Sequence, residues 1–164
     1  MSVKRLLHII LLLSLLALTA CGFQMRGYAD LSFRKLYING NISISKDLKK
    51  SLAVNGVEVV TEKEDAELMM DLMNEVSEKR ILSLSGTGVV REFDLIYKVT
   101  YRIKQPDEDL WGEPKTIETR RDFSYSDREV LATGYEEQRL NAEMRQETTQ
   151  QLVRSLVAYK VTKK

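Results

Sequence analysis

The sequence predicts an α+β sandwich: a mostly antiparallel four-stranded sheet with two helices packed on one face. Three observations carry that prediction. Phe93, Leu95, Tyr97, Val99, Tyr101 and Ile103 alternate with Glu92, Asp94, Ile96, Lys98, Thr100 and Arg102, the period-two pattern of a half-buried strand. From Tyr135 to Tyr159, Leu140, Met144, Thr148, Leu152, Leu156 and Tyr159 form one helical stripe, widened by Val153 and Ala142. Glu136, Glu137, Arg139, Glu143, Arg145, Glu147 and Arg154 fill the solvated side of that helix. Finally, the long strands follow one another through turns. That suggests an antiparallel meander whose apolar face the helices must cover.

The chain opens with an export signal. Lys4 and Arg5 precede an apolar run from Ile9 to Leu18, interrupted only by Ser14 and too short to span a bilayer comfortably. Leu18-Thr19-Ala20-Cys21 then resembles the lipobox of bacterial lipoproteins. The resemblance implies cleavage before Cys21 and acylation of its thiol and amino group. Residues 1–20 are therefore read as a cleaved signal, 21–30 as an acylated tether and 31–164 as a single domain. One acyl chain anchors only marginally, whereas two or three hold a domain on a membrane. Gly22, where the sorting rule of this class would place an aspartate for inner-membrane retention, favours the outer membrane. Phe23 and Met25 either pack on the domain or sit at the membrane surface.

The domain begins with a strand from Phe33 to Ile38, followed by Gly40-Asn41. Ser45 is the expected N-cap of a short helix with Leu48 and Leu52 on its buried face, stopped at Asn55-Gly56. Val57, Val59 and Val60 open either a short strand or an extended connection. Leu68, Met70, Leu72 and Val76 share one parity of the next strand, with Met69 and Met73 on the other. A helix competes there, because Glu, Leu and Met favour helices. The strand continues over Lys79 to Ser85 and turns at Ser83–Gly88, SLSGTG. Val89 to Lys104 is the alternating strand. Gln105 to Pro114 holds both prolines and the single tryptophan, Trp111, and is a loop. Lys115 to Tyr125 is the last strand, with Arg121 spoiling an otherwise apolar side. Ser126-Asp127-Arg128-Glu129 matches a capping box, and Gly134 is expected to break the turn it starts before the long helix begins.

Composition excludes several kinds of function. The single histidine, His8, and the single cysteine, Cys21, lie in the signal and at its end. The domain therefore lacks the means for Ser-His-Asp or Cys-His catalysis and for histidine or cysteine metal sites. No phosphate-cradling glycine loop is present. The expectation is a protein that is not an enzyme and takes no cofactor or metal. Removing Lys4 and Arg5 from the 25 basic residues leaves 23 against 24 acids, so no overall field steers the domain to nucleic acid.

Four stretches together are similar to the LptE family of lipopolysaccharide-assembly lipoproteins. These are Cys21-Gly22-Phe23-Gln24-Met25-Arg26-Gly27, the corner Leu52–Val60, Glu92-Phe93-Asp94-Leu95, and Glu137 to Leu156. The resemblance covers essentially the whole mature chain. It implies a non-catalytic outer-membrane lipoprotein that plugs the lumen of a partner β-barrel, LptD. It also implies help in assembling that barrel and binding of lipopolysaccharide for delivery to the outer leaflet.

Lipopolysaccharide is anionic, so a binder needs Lys or Arg at an exposed patch. Lys79, Arg80 and Arg91 flank the SGTG turn and are the candidates, with Arg128 near the helix start. Arg26, beside the anchor, is read as a contact for lipid headgroups. Some family members carry a basic residue in the turn and another before the last helix. The matching positions here are Ser85 and Gly134, so the candidates rest on neighbourhood alone. Two rival readings stand beside this one: a peripheral outer-membrane lipoprotein of unrelated envelope function, and a lipid-anchored hydrolase working through carboxylates.

Overall fold

A computed structural model describes residues 31–126 and 130–160. The signal, Cys21, Arg26, Arg128 and the Glu129 of the capping box lie outside the described residues. The elements run β1 (Lys35–Asn39), α1 (Ile44–Val54), β2 (Glu58–Val60), a single 3-10 turn (Lys63–Asp65), β3 (Leu68–Leu84), β4 (Val90–Lys104), β5 (Lys115–Ser124) and α2 (Val130–Ala158).

The class is α+β, but the sheet has five strands and is mixed, in the order β2-β1-β3-β4-β5. This corrects the four-stranded, mostly antiparallel expectation. β1 lies parallel to both β2 and β3, while β3–β4 and β4–β5 are antiparallel. The parallel part exists because α1 carries the chain back between β1 and β2, as a parallel pair requires. The added strand, β2, is three residues long.

Two glycines make this corner. At the end of α1 the Val57 N–H donates to the Leu52 carbonyl (3.0 Å) and the Gly56 N–H to that of Ala53 (3.1 Å), with Gly56 at φ +74°. That is a Schellman ending, whose left-handed residue glycine adopts without penalty. Gly40, at φ +94°, lets β1 end against β3, since a Cβ there would stand 2.2 Å from the Leu72 carbonyl oxygen.

The start of α1 differs from expectation. Ser43 occupies the cap position without a side-chain cap bond, and Ser45 lies buried with its Oγ donating to the Gly40 carbonyl (3.1 Å). The capping acceptor comes from another element. The Glu75 carboxylate of β3 accepts from the Ile44 N–H (3.2 Å) and from Ser43 Oγ (2.6 Å).

Both helices cover one face of the sheet. Leu36, Leu68, Met70, Leu72, Leu95, Val99 and Tyr101 meet Ile44, Leu48 and Leu52 of α1 and Met144, Leu152 and Leu156 of α2 in one core. Each such buried side chain contributes roughly 1.5–3 kcal/mol. Arg121 reaches the rim of this core, where its guanidinium donates to Glu147 of α2 at 2.6 Å. Ala142 is exposed and does not widen the stripe, and α2 runs through Gly134 without a break. No helix among the described residues is long and apolar enough to cross a membrane.

The β3–β4 ladder shifts register at three places, between Leu72 and Asn74, Ile81 and Ser83, and Ser83 and Leu84, and the first of these rearranges β3. Leu72 pairs with Tyr101 and Asn74 with Thr100, so Met73 is an extra residue, a β-bulge. Beyond it the faces exchange. Glu75, Ser77, Lys79 and Ile81 stand opposite Val99, Tyr97, Leu95 and Phe93 on the helix side, and Val76 faces outward opposite Lys98. Val76 therefore does not share the buried side of Leu68, Met70 and Leu72.

Candidate functional site

The candidate site is the free end of the β3–β4 hairpin. β5 reaches only as far as Ser124, opposite Glu92, and β1 pairs with β3 only through Asp71. The last residues of the hairpin therefore project past the rest of the sheet. Its turn is tied by the Ser85 N–H donating to the Val89 carbonyl (2.7 Å) and the Gly88 N–H to the Ser85 carbonyl (2.9 Å). Ser85 Oγ also accepts from the Val89 N–H at 3.0 Å. The tip is a built turn centred on Ser85.

The three predicted cations do not share one environment. Successive residues of a strand point to opposite faces. Lys79 therefore faces the helices, and Arg80 the open side. Lys79 Nζ lies 2.6 Å from Glu137 Oε2 of α2 and 4.2 Å from the centroid of the Phe93 ring. Phe93 in turn meets Tyr125 edge-on at 5.3 Å and Phe123 at 5.8 Å. Lys79 is thus held over an aromatic floor by a carboxylate. Arg80 pairs with Glu78 on the open face. Arg91 is exposed and makes no ion pair among the described residues. Of the three, Arg91 is the cation left available to an anionic ligand.

The end is also apolar, which the sequence reading missed. Ile81, Leu82, Leu84 and Val89 are all exposed large hydrophobic residues on this hairpin. Leu131 and Tyr135, on the first turns of α2, are exposed as well. The Lys79–Glu137 pair sets those turns beside the hairpin. Exposed apolar residues gathered at the end of one hairpin are a feature of interaction surfaces. The signal was present in the sequence as Ile81-Leu82, two adjacent apolar residues that break the strand's alternation.

Deeper along β3, the Tyr97 hydroxyl donates to Glu75 Oε1 at 2.6 Å, so one carboxylate links β3, β4 and the start of α1. Burial raises the Glu75 pKa, but the donors Ser43, Tyr97 and the Ile44 amide outweigh it and leave the group below the ordinary glutamate value. Burial first, and then the Glu75 carboxylate, push the Tyr97 phenol up. A groove of about 710 Å³ between α1 and α2 is lined by Asp47, Lys50, Gln138, Arg145 and Gln150 among others. No cluster of three or more His, Cys, Asp or Glu side chains suited to a metal ion occurs among the described residues.

The family model and the named relatives agree on one family. The profile described as "LptE: Lipopolysaccharide-assembly" matches residues 33–156. An LPS-assembly lipoprotein LptE of Photorhabdus laumondii is 26% identical over 160 residues, covering 93% of this chain and 86% of that one. One from Yersinia pestis is 25% identical, covering 93% of this chain and 76% of that one. Among solved structures, lipoprotein B from Nitrosomonas europaea superposes with a TM-score of 0.73 at 32% identity, covering 84% of this chain and 91% of that one. The rare lipoprotein B from Shewanella oneidensis gives a TM-score of 0.67 at 27% identity, covering 76% of this chain and 95% of that one.

Proposed function

This chain belongs to the LptE lipopolysaccharide-assembly family, and from that membership we propose that it is the lipid-anchored outer-membrane subunit of a lipopolysaccharide translocon. In this reading Cys21 carries the acyl chains, and the body sits as a plug in the lumen of the LptD barrel. The protein helps that barrel to assemble and contacts lipopolysaccharide as it passes to the outer leaflet. It performs no catalysis of its own.

The observation that supports the lipid contact most is the hairpin end. There the exposed Arg91 stands within one turn of exposed Leu84 and Val89. A phosphorylated, acylated glycolipid offers an anion and apolar chains together, and this end offers the complement. Lys79 and Arg80 flank it, each already paired with a carboxylate, so they support the field around Arg91 more than they grip a ligand. The open face of the sheet, dense in charge, suits a polar barrel lumen.

Two measurements test the reading. Affinity purification of the tagged lipoprotein from detergent-solubilised outer membranes is expected to bring down a large β-barrel protein, and its recovery alone would remove the plug. Reversing charge at Arg91 together with Arg80 is expected to weaken lipopolysaccharide capture several-fold while leaving the melting temperature unchanged. Undiminished capture would move the lipid site elsewhere.

A further inference from the structure

We propose that the loop 105–114 is a membrane-contacting loop that seats Leu110 and Trp111 in the headgroup layer of a zwitterionic bilayer. The proposal rests on the reading of Cys21 as the lipid anchor.

Leu110 is 82% exposed, the highest value among the exposed large hydrophobic residues described. Trp111 follows it, half-buried, with the Arg102 guanidinium 5.0 Å and the Lys104 ammonium 5.5 Å from its ring centroid. Together with Ile103 and Tyr159 they line an open pocket of about 460 Å³.

The loop is held in place by its own bonds. The Gly112 N–H donates to the Ile103 carbonyl (3.0 Å), and a Cβ at Gly112 would stand 2.8 Å from that oxygen. The Gln105 N–H donates to Glu108 Oε2 (2.8 Å) and Lys104 Nζ to the Glu108 carbonyl (2.9 Å). Leu110 is therefore presented outward by a fixed backbone.

The tether arrives at the same end. Leu31 and Phe33 are buried, and Ser32 Oγ donates to the carbonyl of Tyr159, a residue of that pocket, at 3.0 Å. The ten residues from Cys21 to Asp30 reach at most about 35 Å when fully extended. An acylated Cys21 thus keeps this end of the body, and not the hairpin end, near the bilayer. Tryptophan suits the interface because its ring is apolar and its N–H is polar, and leucine adds apolar area. Asp107, Asp109 and Glu113 make no ion pair among the described residues. They would repel an anionic surface, which selects a zwitterionic one.

Trp111 is the only tryptophan in the chain, so its emission reports this loop alone. The experiment uses full-length acylated protein on phosphatidylethanolamine–phosphatidylcholine vesicles, with and without bromine-labelled acyl chains. The expected result is flotation with the vesicles, emission shifted to shorter wavelength and quenching by the brominated lipid. Leu110→Asp is expected to float equally but to lose most of the quenching. Adding phosphatidylglycerol is expected to reduce quenching in the unsubstituted protein. Flotation without quenching would overturn the loop contact and leave the anchor standing, whereas failure to float would overturn both.

Discussion

The two faces of this sheet are made from the same strands and reach burial by different means. On the helix side, Leu95, Tyr97, Val99 and Tyr101 of β4 are covered by apolar residues of α1 and α2. On the open side neither α1 nor α2 lies over the sheet, yet Ile96 is only 1% exposed. Its register neighbours are Glu78 and Arg120, long side chains of the kind whose stems lie along apolar surface while their charges stay in water. Around them Lys98 pairs with Glu118 at 2.8 Å, and Arg102 with the mostly buried Asp71 at 2.8 Å. Asn39 Nδ2 also donates to Asp71 (2.7 Å), tying β1 into the same array. The lesson is that one side of a sheet is dried by helices packed on it, while the other carries a buried Ile96 beside a network of paired charges.

The sharpest way to break the comparison is on the helix side. Leu152→Asp places an unpaired charge in the core and is expected to unfold the domain, at a cost of several kcal/mol. An unchanged thermal melt would mean that the stripe of α2 does not face the sheet.

A smaller effect is expected at Glu75, a polar junction on the packed side that links β3, β4 and the start of α1. Glu75→Gln should cost about 1–2 kcal/mol by weakening the bonds to Ser43, the Ile44 amide and Tyr97. It should also change the response to acid. The folded chain holds Glu75 below its ordinary pKa, so the unfolded chain binds the proton more readily. The stability from this group is complete above about pH 4.3, the ordinary glutamate value, and is lost as pH falls through the depressed one. Chemical denaturation at pH 7 and pH 3 should show a shallower acid loss for the glutamine variant.

The smallest effect belongs to the open side. Arg120, bonded to Glu118 at 2.5 Å, is exposed, and Arg120→Ala is expected to leave the melting midpoint almost unmoved at physiological salt. A large drop there would place Ile96's cover on that one side chain and erase the contrast between the faces.

Long periodic elements were legible in the sequence because their patterns repeat many times. β4 and the stripe of α2 stand where alternation and helical spacing put them, and Gly56 stops α1 as its left-handed φ demands. Short or interrupted elements were not legible. β2 is three residues, too few to show a period, so Val57–Val60 could be read only as a short strand or a connection, and the parallel pairing of β1 left no mark. The cap of α1 is supplied by Glu75, thirty-one residues away from Ile44, so no local motif announces it. Gly134 looked like a break, yet α2 tolerates it at a cost of roughly 1 kcal/mol. Around the candidate site, the positions of Lys79, Arg80 and Arg91 beside the turn could be read directly. Which face each one took could not, because that depends on register shifts, at Met73 for Lys79 and Arg80 and at Arg91 itself, that leave no compositional mark.

That inserted residue, Met73, works as a phase switch for the distal hairpin. With it in place, the ammonium of Lys79 meets Glu137 and the guanidinium of Arg80 meets the outside. Were Met73 paired in a regular ladder instead of bulged out, the alternation of the arm would shift by one residue and the two side chains would trade faces. The polarity of the arm is thereby written at its shoulder rather than at its fingertips.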